Sequence, residues 1–200
     1  EDAFQDWPAT APHLYLYDPE GTATHLSTAG GPPLLAVDAP ARLLRRPPAV
    51  LLTAPGVAPD GQDLAAHLWT LVAAGWRVIL LEPAAGHVAL PAEPNLRCRD
   101  IRLTDAGLLD GGDEHLRNAG MPPVAGLTLG LRHGGPALIT ADPSARASWA
   151  DFRLADGGGR LLVCALPVVS TWDAAPWGRY VLRTMLRNII SEPNRTGGAP

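Results

Sequence analysis

The sequence predicts an α/β fold with a mostly parallel sheet, and three observations predict it. Residues 49–81 read as strand, helix and strand: an apolar run at 49–53, a helical period over 62–74 and a second apolar run at 77–81. A unit of that spacing calls for a right-handed parallel crossover. Residues 161–166, LLVCAL, form a near-continuous apolar run bounded by Gly and Pro. So short a run fits a strand covered on both faces. Finally, Trp177, Tyr180, Val181, Met185, Leu186 and Ile189 recur at three- and four-residue steps, while Arg179, Arg183 and Arg187 follow one another on another face. That pattern is an amphipathic helix lying on a sheet, with an apolar stripe in the core and a solvated arginine row.

Taken in order, residues 1–12 form a polar, proline-bearing lead with Phe4 and Trp7 as anchors. Residues 14–17 read as a first strand, 22–29 as a short helix ended by Gly30 and Gly31, and 34–37 as a second strand. Residues 41–46 are an amphiphilic link closed by Pro47 and Pro48. In the helix over 62–74, Leu64, Leu68, Leu71 and Val72 share one face; Asp60 suits its cap, Asp63 its positive end and Gly75 its stop. The middle, 83–136, is rich in Pro and Gly and has no long period; Ile101 and Leu103 suggest a short strand, and 115–119 a helical turn. Residues 136–140 and 148–154 read as strands. The triplet Gly157, Gly158, Gly159 suits backbone angles that side chains disfavour. Pro167 should end the strand it follows, and Asp173 suits the cap of the last helix, with Pro176 in its first turn. Residues 191–200 read as a frayed tail.

The 200 residues suit one domain with a sizeable core. A net charge of −4 gives no electrostatic case for nucleic acid. All 16 basic residues are arginine, so no side-chain amine is present for Schiff-base chemistry. No signal peptide and no long apolar span is legible, so nothing places the chain in a membrane, and the compartment stays open. The opening at Glu1 leaves a processed product, a trimmed chain and a piece of a longer protein as alternatives.

No catalytic constellation stands out, and no metal or cofactor is expected. There is no G-x-S-x-G or G-x-C-x-G elbow, and Cys164 lies within an apolar run, which favours a buried, inert thiol. Cys98 is flanked by Arg97 and Arg99, which can favour a thiolate, but neighbours on a strand point to opposite faces. His13, His25, His67, His87, His115 and His133 include no pair at metal-ligand spacing. The acidic run 110–114 lacks the calcium-loop pattern and reads as a solvated turn. The glycine triplet precedes a strand, whereas phosphate loops precede a helix. Two ligand-binding candidates remain. His87 follows the fourth strand in the loop AAGH, and loops at strand ends line the crevice of an open parallel sheet. Trp172 is placed in a loop and, ahead of Trp149 and Trp177, would suit stacking on a sugar, against a core-packing alternative.

The segment GGGRLLVCALPVV, its acidic loop and the helix ending VLRTMLRNII resemble the closing part of class I glutamine amidotransferase-like domains of bacterial glycoside hydrolases. Such domains occur in family 2 beta-galactosidase-like enzymes, and a related one mediates trimerisation in family 42 beta-galactosidases. The stretch AVLLTAPGVAPDGQDLAAHLWTLVAAGWRVILLEP is similar to that family's third strand, helix and fourth strand, and PVAGLTLG to the segment after them. The resemblance implies a flavodoxin-like three-layer sandwich with helices on both faces of the sheet, without the amidotransferase triad. It implies a non-catalytic accessory or assembly role, with the catalytic acids in other domains of a parent glycoside hydrolase. The partners it suggests are those domains or further copies of this chain, with carbohydrate as a candidate ligand. A hydrolase of the same superfamily using His87, and a sugar-binding module using Trp172, stand as alternatives.

Overall fold

The computed structural model describes residues 13–27, 31–57, 62–83, 87–89, 98–104, 126–131, 137–142, 149–154, 159–174 and 176–191. Ten strands and two α-helices are placed among them: β1 (Leu14–Tyr17), β2 (Leu34–Val37), β3 (Val50–Thr53), α1 (Gln62–Ala73), β4 (Arg77–Leu81), β5 (His87–Ala89), β6 (Cys98–Thr104), β7 (Gly126–Leu131), β8 (Ala137–Asp142), β9 (Trp149–Leu154), β10 (Arg160–Cys164) and α2 (Trp177–Ser191). Two 3-10 helices, Thr24–Ser27 and Pro40–Arg45, stand where a short helix and a link are expected.

The main sheet has seven strands in the order β2-β1-β3-β4-β10-β9-β6. The first five run parallel, β9 runs antiparallel to β10, and β6 antiparallel to β9. A mostly parallel α/β sheet is therefore present. A second, three-stranded antiparallel sheet, β5-β8-β7, is also present. Its strand β8 overlaps the run read as a strand at 136–140, whereas β5 has three residues and β7 carries two glycines, too little periodicity to be read from sequence.

Strand β10 explains the arrangement. It lies between β4 and β9, and all five of its residues are buried. Side chains alternate across a strand. Leu162 and Cys164 accordingly join one core with Leu14, Leu16, Val50, Leu52, Ile79 and Leu81, and the α2 residues Val181, Leu182, Met185, Leu186 and Ile189 pack there. Leu161 and Val163 join another with Tyr15, Tyr17, Leu51, Val78 and Leu80, and the α1 residues Leu64, Leu68, Leu71 and Val72 pack there. A buried Leu side chain contributes about 1.5–3 kcal/mol, so each helix is held mainly by its apolar stripe. Strand β2 is the contrast: none of its residues is buried, and Leu35 is among the exposed large hydrophobics.

Two sequence readings change. Gly159 shows no left-handed φ; it is needed because a Cβ there would lie 1.7 Å from the Trp76 carbonyl oxygen. Its own N–H donates to Val72 O at 2.6 Å, closing β10 onto the end of α1. Asp173 does not cap α2, because it belongs to a turn in which Ala174 N donates to Thr171 O at 3.1 Å. Helix α2 begins beyond it at Trp177, and Tyr180 N donates to Pro176 O at 3.2 Å. The helix reaches Ser191, the first residue of the expected tail. The expected lead at 1–12, the rest of the tail, Asp60, the acidic run 110–114, the helical turn at 115–119, Gly157 and Gly158 lie outside the described residues.

Candidate functional site

In the order β2-β1-β3-β4 the chain leaves β1 to one side for β2 and returns on the other side for β3. Connections diverge at that point, which opens a crevice beyond the carboxyl ends of the strands. A cleft of about 260 Å³ occupies this position, lined by Tyr17 at the end of β1 and Asp18 after it, Ala54 to Val57 after β3, and Asp63 and Leu64 in the first turn of α1. Glu20 and Thr22 complete one wall.

Each side chain there has a local cause. Asp18 follows the last residue of β1, and its carboxylate organises the next turn. Oδ1 accepts Thr22 N at 2.9 Å and Thr22 Oγ1 at 3.3 Å, and Oδ2 accepts Ala23 N at 2.8 Å. Tyr17 lies at the end of β1, 5% exposed, and its carbonyl accepts Ala54 N at 2.9 Å, joining the two walls. Its phenol is pushed above the ordinary tyrosine range, first by desolvation and then by the Asp63 carboxylate. The acids read from sequence were assigned to capping or solvation, and no pattern marked Tyr17 and Asp18 as cleft residues; what places them there is the divergence of β2 and β3.

Beside the cleft, the end of β4 carries Glu82, 5% exposed and at φ 45°, the one non-glycine positive φ among the described residues. Its N–H donates to Cys164 O at 2.8 Å and its carbonyl accepts Gly56 N at 2.9 Å. Its carboxylate Oε1 accepts the N–H groups of Val169 and Ser170. One residue thus ties the loop after β3, the end of β10 and the loop leading to α2. Thr53 Oγ1 accepts Leu81 N at 3.3 Å next to it.

Cys164 is fully buried, as its apolar run predicts, and its thiol is pushed up to about 12. Burial is the main cause; a backbone hydrogen bond at Leu166 opposes it and the charge of Glu82 adds to it. The strand end therefore offers a packed thiol rather than a thiolate.

The two sequence candidates fall elsewhere. His87 is not a loop residue: it opens β5 and pairs in register with Thr140 of β8, in the antiparallel sheet. Trp172 is 1% exposed and belongs to the core beneath α2, with the Arg179 guanidinium 5.6 Å from its ring centroid. As the chain stands, the ring presents no open face for a sugar, because the turn preceding α2 folds it inward. Cys98 opens β6. Among the described residues, no group of three or more His, Cys, Asp or Glu is placed to hold a metal ion, and no helix is long and apolar enough to cross a membrane.

No protein-family model and no curated protein matches this chain. Among solved structures, it is similar to the exo-beta-1,4-mannosidase Op5Man5 from Opitutaceae bacterium strain TAV5, at 13% identity and a TM-score of 0.39. That alignment covers 90% of this chain and 36% of the mannosidase, so the chain spans little more than a third of that protein's length. A likeness of that size carries no functional argument.

Proposed function

We propose that this chain is a non-catalytic accessory domain of a carbohydrate-active enzyme, a flavodoxin-like three-layer sandwich of the glutamine amidotransferase-like type. Its role is to support assembly with other domains of a parent glycoside hydrolase or with further copies of itself. The observation that carries the reading is the state of Glu82. This acid at the end of a central parallel strand is committed to the backbone N–H groups of Val169 and Ser170. A carboxylate so engaged holds loops together, which is a scaffold's use of it. The resemblance of the β3-α1-β4 and β10-α2 segments to accessory domains of glycoside hydrolases supplies the biological setting.

Two measurements test this. Purified chain incubated with a panel of aryl-glycosides should release no phenol above buffer, whereas turnover in the ordinary enzyme range of about 1 s⁻¹ or more would overturn the reading. The coding sequence in the same reading frame should carry a glycoside hydrolase catalytic domain. A stop codon directly at each end of this segment would remove the parent enzyme from the proposal.

A further inference from the structure

The outer side of α2 carries a charge that its own helix does not answer. Arg179, Arg183 and Arg187 follow one another at four-residue steps, and the helix contains no Asp or Glu. Side chains four apart share a face, so the three guanidinium groups line one row about 12 Å long. Like charges at that spacing destabilise a helix. Arg179 also stands in the first turn, where the helix dipole disfavours a cation. The row is thus placed against two local rules, and no acid of the helix offsets either.

Tertiary structure does not answer it either. Arg42 pairs with Asp38, Arg160 with Asp151, and Arg46 donates to the Tyr15 hydroxyl. Among the described residues, Arg179, Arg183 and Arg187 have no such ion pair. The Arg179 guanidinium rests 5.6 Å from the centre of the Trp172 ring, and its buried Nε has no hydrogen-bond partner. Arg187 is exposed, and Arg179 and Arg183 are partly buried. The row is therefore reachable yet partly held, which lowers the entropy lost when a partner engages it.

Charge identifies the kind of partner. Helix α2 carries +3 in a chain of net charge −4, so the rest of the chain carries −7. A long polyanion such as nucleic acid would meet that negative surplus around a short basic row. A bilayer would need apolar side chains beside the arginines, but Val181, Leu182, Met185, Leu186 and Ile189 are committed to the core. The same row of a second copy would bring arginine against arginine. A short, local row of carboxylates is what fits, and a helix with acids at four-residue steps has the matching rise. We infer that the Arg179–Arg183–Arg187 row docks an acidic helix of a partner protein, each guanidinium donating to a carboxylate. The inference rests on the assembly role proposed above and names the surface and the chemistry of its partner.

The test titrates the whole chain at low salt into a labelled, alanine-based helical peptide with glutamate at every fourth position, read by fluorescence anisotropy. Its glutamine counterpart, a short DNA duplex and phosphatidylserine vesicles are the comparison probes. The glutamate peptide is expected to bind about tenfold or more tighter than the glutamine one, and added salt should weaken the complex. Arg183→Gln with Arg187→Gln should lower its affinity about tenfold, as the loss of two exposed pairs would give, with a melting temperature unchanged or raised because like charges are separated. Arg42→Gln with Arg45→Gln removes the same charge from exposed positions elsewhere and should keep affinity within about twofold. Equal losses in the two double variants would show that overall charge and not the row binds the peptide, and would overturn the inference. Tighter binding to the duplex or the vesicles than to the peptide, at matched charge, would overturn it as well. Neither outcome touches the accessory role, which is tested by turnover and reading frame.

Discussion

The Glu82 carboxylate accepts the backbone N–H of Ser170 at 3.0 Å across 88 residues of sequence, and the same oxygen accepts Val169 N–H. The residue holding this position sits at φ 45°, where glycine is at ease and other residues are strained.

These two facts set an unusual order of stability. Glu82→Ala removes the acceptor from two backbone donors and keeps the strain, at a cost of about 1.5–3 kcal/mol or more. Glu82→Gly loses the same acceptor but relieves the backbone by about 1 kcal/mol. Urea midpoints should therefore rank wild type above Glu82→Gly and Glu82→Gly above Glu82→Ala. An alanine variant as stable as the glycine one would mean that the φ carries no cost.

The pair Arg160–Asp151 gives a second prediction. Arg160 lies opposite Arg153 in the β10–β9 ladder, so Asp151 is its diagonal neighbour two residues on, on the same face. The contact is bidentate: Nε donates to Oδ1 at 2.6 Å and Nη2 to Oδ2 at 2.7 Å, while Nη1 donates to Asn188 O of α2 at 3.3 Å. Both residues are buried. Asp151→Asn should cost about 3–5 kcal/mol, because it leaves a buried guanidinium without its counter-ion. Replacing both, as Asp151→Leu with Arg160→Met, should recover most of that loss. Arg160→Lys should not, since an ammonium cannot make the two-pronged contact. Chemical denaturation of the four chains checks the order.

Cys164 predicts the alkaline limb of stability. The unfolded thiol ionises near its ordinary value of 9.0, whereas the folded one holds its proton to about 12. Between those values the unfolded chain has released a proton that the folded chain retains, so stability falls as pH rises, and the contribution is complete below about 9. The slope for one proton is about 1.4 kcal/mol per pH unit. Tyr17, also raised, acts in the same direction from about pH 10 upward. Cys164→Ala should flatten the decline by about one proton's slope between pH 9 and 11, read from urea unfolding at a series of pH values. In wild type, alkylation of this thiol at pH 8 should proceed only at the rate of unfolding; prompt labelling in the native state would contradict its burial.

Much of the main sheet is legible in the sequence because its signals are local. Residues 161–166 are apolar at nearly every position, and α1 carries Leu64, Leu68, Leu71 and Val72 on one face. Gly75 stops α1 at φ 94°, as expected. Of the second sheet only β8 is legible, as the run at 136–140; β7, GLTLGL, and β5, HVA, are short and find their partners only in space. The site is harder still. Tyr17 and Asp18 belong to a cleft because β1 is flanked by strands reached in opposite directions, a property of topology. Glu82 reads as one acid before a proline, and its partners at 169 and 170 arrive only when β10 is laid beside β4. Trp172 has two readings in sequence, a stacking platform from its loop position and a core side chain, and the structure bears out the core-packing one, with the ring 1% exposed.

The last prediction concerns Gly159 and separates two reasons for a glycine. At Gly75 the reason is conformation: φ is 94°, and an added Cβ would meet only the Pro48 side chain, at 3.4 Å. At Gly159 the reason is space: an added Cβ would lie 1.7 Å from Trp76 O and 2.8 Å from Gly75 C, both backbone atoms that cannot rotate away. Gly75→Ala should therefore cost about 1 kcal/mol or somewhat more, the usual penalty for alanine at positive φ. Gly159→Ala must push β10 off the end of α1 and break the Gly159 N–H to Val72 O bond of 2.6 Å, so its cost should exceed the roughly 1–3 kcal/mol of ordinary overpacking. Because β10 is the strand on which both cores meet, the damage should reach Trp76, which is fully buried, and shift its fluorescence toward that of an exposed indole. Equal melting temperatures for the two alanine variants would show that β10 can slide without cost, and would undo the account of this strand as the fixed centre of the sheet.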